Sequence, residues 1–581
     1  MIRQEIPSDL ADPAPVLIVG AGPAGIVQAL ELRRQGIPVT MLAGGADGFD
    51  AAFQAQADAE IADPRRHAPM QIAVRRALGG TSLLWGGRCV PFDDIDFADR
   101  RHVPDGGWPL AHDDIRPWYA VGMGYLNAGA PAFSAPLSGI GTMADCRLGE
   151  LERWSERRNL RQLHAAALDN DPGLQILLGV VATGIEVDPL TGQAEGVRVA
   201  LPSGQRATLR ARVVVLACGG LETTRLMLVS RIDRPRLFGG PEGPLGRFYM
   251  GHFEGRIADV VFDPALPEDA FDFFIDGSGR YARRRITIRP GAQQRHGLLN
   301  MCAWPDNPAL GDPAHRSAIL SLAYLSLAAP VLGRWLEPEA IRRKHLEHGA
   351  NAIGRHIGNI LAGLPEAVRE AGRFLYRRYG TTPRLPGFFI RNPARRYALF
   401  YHAEQAPNRA STVSLSEARD GLGMPRLRID LRYGDRDVAS VLAGHEIIDR
   451  NLRAAGVGRV EHRFPAEERA AHIREQMTDG YHQIGTIRMA AAPSRGVVDA
   501  DCRVHGCPNL FVAGSAVFPT SGQANPTLLI TALSARLAAH VGRLLRQPAA
   551  TTYFREGKPA DTAIRPSFTP QADPVAVTAA E

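Results

Sequence analysis

The sequence predicts an α/β plus α+β fold, with a discontinuous nucleotide-binding domain on a parallel sheet joined to a second domain on an antiparallel sheet. Three observations point to the first of these domains. The apolar run at 16–19 is followed by the glycine turn 20–25 and then a helical pattern. A second buried-strand pattern, 213–216, also ends in glycines. A third, within "NLFVAG" and ending at Gly514, lies near the other end of the chain and leads into the helical stretch "ANPTLLITALSARLAAHVGRLL". One sheet fed from both ends of the chain makes the first domain discontinuous.

In the turn, Gly20, Gly22, Pro23, Ala24 and Gly25 fit GxGxxG between strand and helix, with "IPVTML" as the next strand. Glycines there let backbone approach a pyrophosphate seated on a helix N-terminus. The acid that ordinarily meets the adenosine ribose at the end of the second strand is absent. Ala43 stands there, followed by Gly44 and Gly45, and Asp47 is the nearest substitute.

At 581 residues the chain exceeds one compact core and holds two or more domains. With 45% hydrophobic and 22% charged residues it is of globular composition. Its net charge of +6 is interleaved and too dilute for nucleic acid to be a partner. The six cysteines (Cys89, Cys146, Cys218, Cys302, Cys502, Cys507) read as reduced packing residues, and no metal site is expected from their spacing. "MIRQEIPSDLADPAP" has no apolar segment and no twin arginine, so the expected location is the cytoplasm.

The parts are assigned as follows: 14–260, nucleotide-binding, with inserted cap segments at about 50–160; 261–480, substrate-binding; 481–545, the return to the nucleotide-binding domain; 546–581, a Pro/Ala/Thr-rich flexible tail. Ser317 to Gly333 is uncharged but holds Pro330, and a span there would separate Gly20 from Gly514 across a bilayer, so no transmembrane span is expected. The run reads as a buried helix. The arginine-punctuated apolar pattern of about 315–380 also fits a helix lying on a membrane or a partner. In "YALFYHAEQAP", alternation puts Tyr401, Ala403 and Gln405 on one strand face and Phe400, His402 and Glu404 on the other, without saying which meets a ligand.

With these stand "LGGTSLLWGGR" (78–88), "GWPLAHDDIRPWY" (107–119), "VVVLACGGLETTRLML" (213–228), "LGRFYMGHF" (245–253), "EQAPN" (404–408), "YHQIGTIRM" (481–489) and "GVVDADCRVHGCPNLFVAGSAVFPTSGQANPTL". In this order, from Val16 to about Leu545, the series resembles the glucose-methanol-choline (GMC) flavoprotein oxidoreductases. It looks most like the bacterial, sugar-oxidising branch related to fructose and gluconate dehydrogenases and pyranose oxidases. The resemblance implies a Rossmann-like FAD-binding domain in a para-hydroxybenzoate hydroxylase-like architecture, an alcohol donor, and an active site at the flavin built from His482 and Asn525. It places FAD against Gly20, Gly22, Pro23, Ala24, Gly25, Gly80, Thr81, Trp85, Gly86, Ala182, Ala217, Gly514, Ser515, Ala516, Asn525, Pro526 and Thr527. Some members carry FAD on a histidine just before this tryptophan. Here Leu84 precedes Trp85, which implies dissociable FAD. His252 and His505 sit in motifs that look structural.

Such chemistry removes a proton from oxygen and a hydride from carbon. Taking ~15.7 for a hydroxyl and ~6.5 for His, prior deprotonation costs about 12 kcal/mol. The proton is therefore expected to leave with the hydride, to His482 as base. The helix after Pro526 offers its positive end to charge on the reduced flavin. Asn525 before Pro526 is also an N-cap arrangement, so two roles compete for one amide oxygen. The implied substrate is a carbohydrate or polyol, and the oxidant is oxygen, a quinone or a redox protein. A flavin-binding scaffold without turnover, held on a membrane or partner through 317–378, and a flavoprotein oxidising amines are the rival readings.

Overall fold

A computed structural model describes residues 2–6, 12–141, 143–336, 342, 346, 352–392 and 394–547. The tail assigned at 546–581 lies, from 548 onward, outside the described residues, as do 337–341, 343–345 and 347–351 of the apolar-basic segment.

The glycine turn sits where the sequence predicts. Ala14–Val19 pairs parallel with Val39–Ala43 on one side and with Arg206–Leu216 on the other, and Leu174–Leu178 extends the sheet beyond Val39–Ala43. Pro23–Arg34 is the connecting helix, with Pro23 preset for a first turn. The 213–216 run is the end of one 11-residue strand: Arg206 to Arg210 pair antiparallel with Ala194–Ala200, and the remainder turns parallel beside Ala14–Val19. Leu510–Val512 adds its parallel strand to Arg206–Leu216, so the chain's C-terminal part does return to the first sheet. Thr527–Arg546 then packs between Pro23–Arg34 and His112–Tyr125. It is long and apolar enough to cross a membrane, but two thirds of it (67%) is buried in the fold, as for a core helix.

The second sheet has the order Gly458–His462, His252–Phe262, Arg396–Glu404, Met301–Asp306, Tyr281–Ile288, Cys146–Trp154 and Arg88–Cys89, and these neighbours pair antiparallel. Here the structure corrects the assigned boundaries. His252–Phe262 and Cys146–Trp154 fall inside 14–260 yet belong to this sheet. The chain visits the second domain before 261 because antiparallel edges can be filled in any order, which linear segmentation does not reveal.

Each sheet has its own apolar core, one around Ile18, Met41 and Val215, the other around Phe253, Ile286 and Leu399. The expected helix at 317–333 is broken at Pro330 into Ala318–Ala328, which buries Leu320 and Tyr324, and Pro330–Leu336, which leaves Val331 85% exposed.

Candidate active site

The parallel strands end at Val19, Ala43, Leu216 and Val512, and the residues just past these ends line one cavity of about 560 Å³. This is where open α/β sheets bind ligands. Gly20 has φ +115°, and a Cβ on it would stand 2.4 Å from the Ala217 carbonyl oxygen. Only glycine fits there. Of the residues implied for the cofactor, Gly20, Gly22, Pro23, Ala24, Gly80, Thr81, Trp85, Gly86, Ala182, Ala217, Gly514, Ser515, Asn525, Pro526 and Thr527 line this cavity. Gly25 and Ala516 do not. A Cβ on Gly25 would stand 1.9 Å from the Gly20 carbonyl oxygen, so this glycine sets the approach of helix to turn, while Ala516 is packed in the core beside Ser515. Asp47 is also outside the wall, its carboxylate held by Arg161 at 2.9 Å. The acid lining that end is Glu222, paired with Arg76 at 2.5 Å.

The cavity fits a dinucleotide cofactor. Gly22 caps Pro23–Arg34 with no side chain in the way, and the first turn carries no acid that would repel a phosphate. At the opposite end Thr527–Arg546 likewise begins without a side-chain cap. Its positive pole faces the wall formed by Asn525, Pro526 and Thr527.

Beside that pole the structure gathers three imidazoles. Met250 and Ile484 exchange backbone hydrogen bonds, so the start of His252–Phe262 runs against the 479–484 segment. Tyr481 takes φ +60°, rare for a side chain of its size, and turns the backbone just ahead of His482. His252 and His482 then meet Nδ1 to Nδ1 at 2.8 Å, and His402 stacks on His252 with centroids 4.6 Å apart.

The proton positions follow from the partners. His252 Nε2 lies 2.9 Å from the Ser521 carbonyl oxygen, which can only accept, so Nε2 carries the hydrogen. Burial pushes the His252 pKa down to about 4, so the ring is neutral and its Nδ1 is an acceptor. His482 must donate from Nδ1, which leaves the lone pair on Nε2, the atom the Asn525 amide reaches at 3.2 Å. His482 itself titrates well below the ordinary histidine value, first because protein surrounds it, then because His252 and Arg88 stand near. His402 is neutral for the same first reason and hydrogen-bonds through Nδ1 to the Gln523 carbonyl oxygen at 2.8 Å.

Asn525 answers the competition between its two roles. Its Nδ2 donates to His482 and its buried Oδ1 has no hydrogen-bond partner among the described residues, so the amide does not cap the helix. A buried amide oxygen left unpaired costs about 1–3 kcal/mol. It stands as an unsatisfied acceptor in a residue of the cavity wall.

Behind this group the loop is pinned by Gln523, which accepts from Arg285 at 2.6 Å and donates to Asp93 at 3.0 Å. Arg100 and Glu404 form a buried two-pronged ion pair at 2.6 and 2.7 Å on the strand that carries His402. Removing one partner of such a pair costs about 3–5 kcal/mol. The His402 face of Arg396–Glu404 is therefore the face toward the cavity, the alternative that alternation left open. The wall beyond the imidazoles is aromatic and charged. Trp304, Phe273 and Phe388 line it with Glu254 and Asp306, and Arg88 and Arg283 share the buried Glu152 at 2.5 Å each.

His482 and Asn525, the pair singled out from motif, do meet at the cavity wall. His252 and His402 were not singled out, although alternation did put His402 on one of two faces. His505, by contrast, lies away from the cavity, bonded to the Ala490 carbonyl oxygen.

Comparison with known proteins agrees with this architecture. Residues 407–534 match the family model described as GMC oxidoreductase, and residues 13–55 match one described as FAD binding domain. The chain is 22% identical to a 2-methyl-1,2-propanediol dehydrogenase of Mycolicibacterium austroafricanum, over 92% of this chain and 96% of that protein. It is 23% identical to a 6'''-hydroxyparomomycin C oxidase of Streptomyces lividus, over 90% and 91%. Its fold is similar to that of a fungal aryl-alcohol oxidase, with TM-score 0.50 and 15% identity over 92% of this chain and all (100%) of that one.

Proposed function

The chain belongs to the GMC oxidoreductases, FAD-dependent enzymes acting on alcohols, and from that premise we propose that it oxidises a CH–OH group of a carbohydrate or polyol, with His482 as base. The observation that carries this is the hydrogen-bond chain from the Ser521 carbonyl through His252 to His482, which leaves the Nε2 lone pair beside the Asn525 amide at the cavity wall. Bound FAD supplies the hydride acceptor. Gly20, Gly22, Gly514 and the two helix N-termini would hold it.

The chain's own residues do the rest. Asn525 Oδ1 orients the substrate hydroxyl, which displaces the Asn525 Nδ2–H from His482 Nε2, and the freed lone pair takes the hydroxyl proton. Because protein surroundings lower the basicity of His482, the gap to an alcohol exceeds the ~12 kcal/mol of an ordinary histidine, and proton and hydride leave together. Aromatic faces at Trp304 and Phe273, with carboxylates of Glu254 and Asp306 alongside, suit a ring that offers both C–H faces and hydroxyls. The relatives named for a propanediol and an aminoglycoside support the same substrate class. Electrons pass on to oxygen, a quinone or a redox protein.

Anaerobic mixing of the FAD-loaded protein with pools of sugars, glycosides, aminocyclitols and simple polyols is expected to bleach the flavin absorbance with a carbohydrate or polyol pool. Bleaching by simple amines alone would replace this reading with amine oxidation, and bleaching by none would favour a scaffold without turnover. Readmitting air then tests oxygen as acceptor.

FAD is expected to be dissociable. Leu84 lines the cavity beside Trp85 and offers no nucleophilic nitrogen for a covalent link. Acid precipitation should leave yellow FAD in the supernatant, and a yellow pellet would overturn this.

A further inference from the structure

We propose that the helix pair Ile353–Ala362 and Leu364–Leu375, with the turn that follows to Gly380, is a docking surface for an anionic phospholipid bilayer. Two helices, Ile353–Ala362 and Leu364–Leu375, follow one another across Gly363. On the first, Ile353, Ile357 and Leu361 are 54%, 46% and 70% exposed at a spacing of four residues, which is a single stripe. On the second, Leu364, Val368 and Leu375 are 45%, 60% and 46% exposed and again share one face. Val331, Leu332, Tyr376 and Tyr379 extend the set. Elsewhere among the described residues only Phe49, Leu190, Ile232 and Ile275 are large exposed apolar side chains, scattered along the chain. Single exposed apolar residues need no explanation, whereas a gathered set marks an interaction site.

Charge identifies the occupant. Residues 353–380 hold five Arg against two Glu, a net +3, with Arg378 alone of the five arginines buried. Arg355, Arg369, Arg373 and Arg377 are exposed on the two helices and the turn after them. Glu370 engages two of these, Arg369 at 3.6 Å and Arg373 at 2.9 Å. A second copy docking through this face would set +3 against +3, so a symmetric dimer is disfavoured. An apolar stripe flanked by arginines with tyrosines at its end is the pattern of a helix lying in the headgroup layer of an anionic leaflet. The location is functional as well. Phe374 packs on Phe388 with centroids 5.0 Å apart, and Phe388 lines the active-site cavity, so docking would bring the cavity mouth to the lipid surface.

The test is co-sedimentation of the full-length, FAD-loaded protein with vesicles of phosphatidylcholine alone or with 30% phosphatidylglycerol. The expected result is binding to the anionic vesicles, lost as salt is raised, with at least tenfold less protein bound to neutral ones. L361E/V368E should lower binding to anionic vesicles at least tenfold while its flavin spectrum and substrate-driven bleaching stay unchanged, since neither residue touches the cavity. Equal binding to both vesicles, no binding to either, or undiminished binding by the variant would overturn the proposal. So would a dimer or hetero-complex in light scattering that L361E/V368E dissociates, because the face would then be a protein interface.

Discussion

His482→Ala will retain FAD and lose substrate-driven flavin reduction by ~10²- to 10⁴-fold, the usual contribution of a positioned general base. That loss is about 3–5 kcal/mol of barrier at 1.36 kcal/mol per tenfold. FAD should stay because the glycine turn and the helix N-termini proposed to hold it do not involve the imidazole, while the Nε2 lone pair has no substitute within reach of Asn525. Rapid mixing under anaerobic conditions reads the rate directly, and a loss below tenfold would place the base elsewhere. The wild-type pH profile belongs to the same test. The folded-state pKa of His482 is depressed well below 6.5, so its neutral form persists through pH 6.5, and the reduction rate should stay flat there and fall only at lower pH, as the ring protonates. A fall centred at or above 6.5 would contradict the environment described.

His252→Phe is expected to lower kcat ~10²-fold with a smaller change in KM, the order of loss that follows misplacement of a catalytic group by about 1 Å. Phenylalanine keeps a ring to stack on His402 but offers no acceptor to His482 Nδ1–H, so the ring is free to turn and to place its lone pair on the wrong nitrogen. His252→Asn should recover part of the loss, since its amide oxygen can accept the same hydrogen. A purely structural role predicts the opposite order, with the larger aromatic replacement tolerated better. Steady-state kinetics of the two variants, with flavin absorbance as the check on folding, separates the cases.

The nucleotide-binding half was readable because its signals are local. Strand, glycine turn and helix lie within about twenty consecutive residues, and each glycine answers a collision that short-range geometry creates, as at Gly20. Where a motif residue serves packing instead, sequence spacing does not distinguish it. Gly25 and Ala516 sit in the right motifs, but one touches the Gly20 carbonyl and the other the core. Asp47 lies off the cavity lining for a similar reason: Arg161 is 114 residues away in sequence, and only the fold brings it to that carboxylate.

His482 and Asn525 were marked by their motifs, and Leu84 by the residue it replaces. What the chain alone determined, then, is the parallel sheet with its glycine turn, its return from the C-terminal end, and the two motif residues, His482 and Asn525, that meet at the cavity wall. Only the tertiary structure decided that His252 orders the proton on His482, that His402 faces inward, and that Asn525 turns its amide to His482 rather than to the helix. Those pairings join residues 43 to 269 positions apart. They exist because an antiparallel sheet carries His252 and His402 on adjacent strands and backbone pairing sets the 479–484 turn against one of them, a register that no local pattern encodes.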